Sequence, residues 1–247
     1  MTDYTTFEHD VLVIGAGGAG LRAAIEASAA GVSVGLICKS LLGKAHTVMA
    51  EGGMAAAMGN VDDRDNWKVH FSDTMRGGQY VNNWRMAELH AKEAPDRVRE
   101  LEAWGAVFDR TKDGKILQRN FGGHRYPRLA HVGDRTGLEL IRTLQDHGIH
   151  QGIDVHMEVT VISLLKDGDR VVGCFAYERE HGRFRLSLIA CFCRIPEASH
   201  SISDKKTGLT VRNTTSLAKS PAMLCVFGTD VEMSQHNLDD LRRLRGQ

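Results

Sequence analysis

Gly15, Gly17 and Gly20 stand in the spacing G-x-G-x-x-G, with Ala16, Gly18 and Ala19 among them. That spacing suits a diphosphate. The first glycine permits a tight turn, the second lets phosphate approach the backbone, and the third lets a helix pack against a strand. Unpaired N–H groups and the positive end of the helix dipole then receive the anion. Residues 43–60 read GKAHTVMAEGGMAAAMGN, a run of small residues around His46 and Glu51. A backbone this open accommodates a flat ring system in close contact. Further on, Gln118-Arg119-Asn120-Phe121-Gly122-Gly123 sets an aromatic ring in loop-forming sequence, and His124, Arg125, Arg128 and His131 follow as a basic group. That group either faces a dianion or is a solvated loop, and the sequence assigns it no role. Cys191-x-Cys193 has no second pair at ligand spacing, with Cys225, His200 and His236 scattered, so no metal site is expected.

Several elements must position these residues. Val11-Leu12-Val13-Ile14 is a short apolar run suited to a parallel strand buried on both faces. After the glycines, Leu21, Ala24, Ile25 and Ser28 fall at helical spacing, Gly31 ends the helix, and Val32 to Cys38 forms a second apolar run. The acidic residue expected at the end of that second strand is absent, since the place reads Cys38-Lys39-Ser40. Ser40 is left to meet a ribose, and Lys39 a phosphate or solvent. Trp84 to Ala94 reads as a helix with Met86, Leu89 and Glu93 on one side, and Pro95 as the start of another. Asp134 is placed to cap a helix that turns Leu138, Ile141 and Leu144 inward and stops at Gly148. Ile153–Leu165 and Arg170–Tyr177 read as two strands joined by Lys166-Asp167-Gly168-Asp169.

The glycine turn and the H-T-V-x-A-x-G-G run beginning at His46 together resemble the flavoprotein subunit of succinate dehydrogenases and quinol-fumarate reductases. The likeness continues through Asp65-Asn66-Trp67, Asp73-Thr74, Gln118 to Gly123, Asp134-Arg135-Thr136-Gly137 and Val171-Val172-Gly173-Cys174. It implies an α/β fold: a Rossmann-like FAD-binding domain with a parallel sheet and an added β-hairpin region, incomplete relative to the family. It implies FAD carried covalently by His46. Gly15, Ala16, Gly17, Gly18, Ala19, Gly20, Lys39, Ser40, Ala45, Thr47, Ala50, Glu51, Gly52 and Gly53 would contact the cofactor, with Val159 and Thr160 near the adenine through backbone only. Phe121 is implied at the dicarboxylate site, where succinate and fumarate interconvert. The resemblance also implies membrane anchor subunits, an iron–sulfur partner subunit, and a place in the cytoplasm, peripheral to the inner face of the membrane. Two alternatives stay open: a noncatalytic FAD-binding fragment, and a flavoprotein resembling L-aspartate oxidase, which His46 disfavours. No catalytic acid or base is identifiable, because the family's capping-domain histidines and arginines have no counterpart here.

Composition narrows the rest. Lys+Arg 31 balance Asp+Glu 31, so no whole-molecule field draws the chain to nucleic acid or anionic lipid. No apolar run approaches the ~20 residues of a membrane-spanning helix, and MTDYTTFEHD lacks the pattern of a secretory signal. Five cysteines in 247 residues do not make a disulfide framework. Glycine is unevenly spread, 23 in residues 1–185 and three in 186–247, while Ser+Thr runs 14 and 12 in the same stretches. The expected division is therefore an N-terminal part of an FAD-binding domain over 1–185 and an unassigned tail over 186–247, foreign to the family. The short amphipathic stretch Leu238 to Leu244 reads as a solvated helix.

Overall fold

The computed structural model describes residues 4–167, 170–189, 201–204, 209–212 and 223–226. In chain order the first elements are strands β1 (Tyr4–His9) and β2 (Val11–Ile14), helix α1 (Gly18–Ala29), and strands β3 (Val34–Ile37) and β4 (Met54–Ala55). Next come helices α2 (Trp67–Gly77) and α3 (Trp84–Ala103), strands β5 (Gln118–Arg119) and β6 (Leu129–Ala130), and helix α4 (Thr136–His150). Strands β7 (Asp154–His156), β8 (Val159–Asp167), β9 (Arg170–Glu178) and β10 (Arg183–Ile189) follow, then β11 (Ser201–Asp204), β12 (Leu209–Arg212) and β13 (Met223–Val226). The chain divides into two units, Met1–Ala45 with Gln145–Gln247, and His46–Leu144.

The first unit holds a parallel sheet in the order β13-β2-β3-β7 and a second sheet in the order β1-β10-β9-β8. All four residues of β2 and of β3 are buried, as strands covered on both faces require. Helix α1 buries Gly20, Leu21, Ala23, Ala24, Ile25 and Ala27, and it ends where Gly31 takes φ +82° and donates its N–H to Ser28 O. Leu12, Ile14, Ile37, Val159, Leu164, Cys174 and Ala176 share one core cluster. Burial pushes the Cys174 thiol up to about 12 and the Cys38 thiol up to about 11, so both behave as small apolar groups.

The strand expected over Ile153–Leu165 is two strands. Glu158 takes φ +55° and breaks the run, sending β7 to the parallel sheet beside β3 and β8 to the other sheet. Apolar alternation cannot register that reversal, because its cause is tertiary. Glu158 N donates to Ser40 O, Val159 N donates to Cys38 O, and Arg179 pairs with the Glu158 carboxylate. The expected β8–β9 hairpin is present, with two irregularities in register.

In the second unit, Asn66 caps α2 by accepting from Lys68 N and Val69 N, and Asn83 caps α3 by accepting from Arg85 N and Met86 N. Helix α3 runs through Pro95 without stopping, contrary to the two helices expected. Ala87, Ala91, Ala94, Val98 and Leu101 form one buried stripe at alternating spacings of four and three, and this continuous packing outweighs the backbone bond that proline removes. Met86 and Glu93 face solvent instead of the interior. Helix α4 starts at Thr136, whose buried hydroxyl accepts from Val132 N, rather than on a cap at Asp134. Ile141 and Leu144 are buried, Leu138 is 52% exposed, and the helix passes Gly148 to reach His150. A Cβ at Gly148 would stand 3.3 Å from Ile153 Cδ1, so close packing rather than termination explains that glycine. A small antiparallel sheet in the order β4-β6-β5 completes the unit.

The composition break at residue 186 falls within β10. Strands β11 and β12 pair antiparallel, and β13 lies parallel beside β2. Cys191, Cys193, His200, His236 and Leu238 to Leu244 lie outside the described residues.

Candidate functional site

The glycine turn is built wholly within the first unit. Strand β2 leads into Gly15, which takes φ +107° and donates its N–H to Ile37 O at 2.8 Å. A Cβ at Gly20 would stand 1.8 Å from Gly15 O, so the turn and the first helical turn are in direct backbone contact. No side chain fits there. Gly17 is the N-cap of α1 and offers no side-chain bond to the helix start, and no acidic residue occupies the first turn. Both features leave the positive helix end suited to an anion. At the end of β3, Cys38 is buried, Lys39 is exposed and Ser40 is half-buried, its hydroxyl 3.5 Å from Leu41 O. The Ser40 and Cys38 carbonyls are occupied by Glu158 and Val159, so Val159 spends its N–H inside the fold, and Thr160 is exposed.

The run of small residues from His46 onward lies in the second unit. His46–Met49 is a single 3-10 turn, and His46, Ala50 and Glu51 are exposed while Thr47, Gly52 and Gly53 are half-buried. Ala50 N donates back to Thr47 O at 3.1 Å, and Gly137 at the start of α4 donates to Ala50 O at 2.7 Å. Arg119 reaches across from β5, its Nε donating to Gly52 O at 2.8 Å and its Nη2 to Glu51 O at 2.5 Å. Gly53 takes φ +119°, and a Cβ there would stand 2.7 Å from Ala130 O. A Cβ at Gly52 would sit 3.7 Å from Phe121 Cε2, so the Phe121 ring, 59% exposed, lies close to the glycines that follow His46.

The basic group divides sharply. Arg128 is completely buried, and its Nη2 donates to Asp65 Oδ1 and Asp73 Oδ2, both at 2.8 Å. Asp73 also accepts from Arg125 N at 2.9 Å and pairs with Arg76 Nη2 at 2.7 Å. Burial pushes the Asp73 carboxyl up, but the Arg125 amide, Arg128 and Arg76 together hold it below its ordinary value. His131 is buried, His124 half-buried, and Arg125 exposed. Gln118 is buried too, accepting from Asn60 N and donating to Ala56 O. Sequence reasoning assigned no role to Asp65, Asp73, Arg119 or Gly137, although all four sit in the motifs that carried the resemblance.

His9, Asp154 and His156 also converge, with His9 Nε2 3.1 Å and His156 Nε2 3.4 Å from Asp154 Oδ2. Arg185 Nη1 stands 3.2 Å from His156 Nδ1, and arginine only donates, so Nδ1 accepts and the His156 proton sits on Nε2 facing the carboxylate. The group reads as a polar network.

The sequence profile of the family described as FAD binding domain matches residues 10–192. This chain belongs to that family. The FAD-binding domain is 60% identical to a chain of the solved structure "Mycobacterium smegmatis Sdh1 in complex with UQ1", with a TM-score of 0.73 over 74% of this chain and 33% of that one. It is 47% identical over 168 residues to a fumarate reductase (CoM/CoB) subunit of Methanothermobacter marburgensis, covering 68% of this chain and 31% of the relative. It is 38% identical over 197 residues to a mitochondrial succinate dehydrogenase flavoprotein subunit of Xenopus laevis, covering 74% and 30%. The FAD-binding domain thus spans about a third of the length of the relatives it matches. The side-chain-free cradle of Gly15, Gly17 and Gly20 and the uncapped start of α1 fit the diphosphate of FAD. No helix among the described residues is long and apolar enough to cross a membrane.

Proposed function

We propose that this chain supplies the FAD-binding portion of a succinate dehydrogenase or fumarate reductase flavoprotein subunit, with the flavin attached through His46. When bound, the flavin supplies hydride exchange with succinate or fumarate, and in the assembled enzyme its electrons pass to an iron–sulfur subunit. That assembly is held at the inner face of the membrane by anchor subunits. The chain's own residues bind and orient. Gly15, Gly17 and Gly20 with the start of α1 take the diphosphate, Lys39 and Ser40 stand where the adenosine ribose and phosphate are met, and Ala45 to Gly53 flank the ring. Phe121 offers an apolar face to the carbon chain of a dicarboxylate. His46 would hold the flavin through its imidazole at the 8α carbon, and the two protons and two electrons lost in that attachment would be taken up by dioxygen as hydrogen peroxide.

The observation that carries this reading is the exposed imidazole of His46 at the head of a turn followed by Gly52, which lies beside Phe121. The relatives named as fumarate reductase and succinate dehydrogenase subunits support it. Absorbance of the purified chain tests it. Protein that stays yellow after acid precipitation, with the flavin fluorescence lost in His46→Ala, is the expected result. Colourless protein with no adduct on the His46 peptide, prepared with ample riboflavin, overturns the attachment. Flavin that is bound but acid-labile favours the alternative resembling L-aspartate oxidase. A second reading is cofactor binding without turnover, and succinate-dependent dye reduction by this chain alone would refute it. The family match stops at residue 192, and we propose that most of the tail is foreign to the family. Sequencing the coding locus tests this, and an unbroken frame shared with relatives of the same length overturns it.

A further inference from the structure

The segment that carries His46 is short and rich in small residues. Residues 46–53 contain two glycines and one 3-10 turn, closed by the bond from Ala50 N to Thr47 O. A chain so rich in small residues loses much conformational entropy when it is ordered. It is also restrained from two distant places in sequence. On one side Gly137 donates to Ala50 O, and a Cβ on Gly137 would stand 2.0 Å from Thr47 O and 2.8 Å from Ala50 N. On the other side the Arg119 guanidinium spans two successive carbonyls, those of Glu51 and Gly52. Arg119 is itself fixed in β5, opposite Leu129 of β6, and is half-buried.

We propose that Arg119 and Gly137 are positioning residues that clamp segment 46–53 from two sides, holding the imidazole-bearing turn in one arrangement before the flavin arrives. The proposal rests on the flavin reading above. Two parallel N–H donors from one planar group fix both the position and the twist of a peptide pair, which a lysine ammonium does not do. Gly137 acts by absence of a side chain, since α4 meets the turn backbone to backbone. Ordering the segment in advance removes an entropic cost from cofactor capture and from bringing His46 to bonding distance.

The test uses the full 247-residue chain, supplied with FAD, as parent and as Arg119→Gln, Arg119→Lys, Gly137→Ala and His46→Ala. Hydrogen exchange of residues 46–53 is measured without FAD, and acid-stable flavin per chain is measured with FAD saturating. Arg119→Gln is expected to speed exchange over residues 50–53 about tenfold, the loss of a modest hydrogen bond. It is also expected to lower attached flavin severalfold while leaving the melting temperature within about 2 °C. Arg119→Lys should restore part of both. Gly137→Ala should have the larger effect on both, and if it fails to fold the arginine variants still decide. Unchanged exchange in Arg119→Gln overturns the clamp, and faster exchange with unchanged attachment overturns its positioning role. A parent chain with no acid-stable flavin overturns the His46 attachment instead, and the exchange comparison then decides the clamp by itself.

Discussion

The glycine turn of the first unit and the His46 segment of the second are stabilised in opposite ways. Around Gly15 to Gly20 most determinants are contiguous, namely a buried strand, a glycine at φ +107° and a helix whose Gly20 touches the Gly15 carbonyl, with one backbone bond to Ile37 O beside them. Around His46 to Gly53 the determinants arrive from far along the chain, at Arg119, Ala130 and Gly137. A local turn is limited by sterics, so it tolerates no added atom but needs no partner. A segment held from a distance tolerates more at each position, yet it depends on the whole unit being folded. The first kind of site is rigid by construction, and the second is rigid by agreement among distant contacts.

The strongest blow to the distant kind is the loss of Arg128. Its guanidinium is fully buried between Asp65 and Asp73, and Asp73 in turn holds the Arg125 amide in the loop that carries Phe121. Arg128→Met leaves the buried Asp65 carboxylate without a cation and Asp73 with Arg76 alone, and denaturant unfolding should show a loss of about 4 kcal/mol. If the second unit were held chiefly by local forces, the loss would stay under about 1 kcal/mol. For the local kind, Gly20→Ala brings a methyl group to 1.8 Å from Gly15 O. A loss of about 3 kcal/mol is expected, with FAD binding abolished, because backbone on both sides must yield. Titration with FAD and a melt of the same sample would read both. A variant that still binds FAD as the parent does would show that the turn relaxes more easily than its geometry implies.

The same contrast governs what was legible beforehand. The strand–turn–helix at residues 11–29 was readable because its signals are contiguous: an apolar run, three spaced glycines and a helical period. Continuity of α3 through Pro95 was not, since a proline is a strong local signal and the stripe from Ala87 to Leu101 that overrides it is made mostly of alanines. The basic group was legible as charge but not as structure. Arg128 lies three residues after Arg125, yet one is buried between carboxylates more than fifty residues away and the other is exposed. His46 stood out through its neighbours, whereas Arg119 gave no sign that its partners would be the carbonyls of Glu51 and Gly52.

Acid should weaken the distantly held unit through a buried histidine. His70 is 2% exposed and ring-to-ring with His90, at 5.2 Å between centroids. Burial, together with Arg128, His90 and His124, pulls it down from 6.5 to about 4. Its folded-state value lies below the unfolded one, so between pH 6.5 and 4 the unfolded chain binds the extra proton. Stability is therefore full above about 6.5 and falls as the pH drops toward 4, by about 2 kcal/mol once solvent relaxation is allowed for. His70→Gln should flatten that slope, though not remove it, since His124 and His156 are shifted the same way. A variant with the parent's full slope would assign the acid sensitivity to groups other than His70.

The smallest expected effect returns to the first unit and reverses sign. Glu158 divides one apolar run into β7 and β8 by taking φ +55°, a conformation that costs a residue with a side chain about 1 kcal/mol and glycine almost none. Its carboxylate pairs with Arg179, but that arginine is 75% exposed, so the pair contributes only about 0.5 kcal/mol. The backbone bonds from Glu158 N to Ser40 O and from Arg179 N to Glu158 O do not need the side chain. Glu158→Gly should therefore stabilise the chain by about 0.5 kcal/mol, seen as a small rise in the unfolding midpoint at unchanged slope. A measurable loss would mean that the Glu158–Arg179 pair, rather than the two backbone bonds, turns the chain from one sheet to the other.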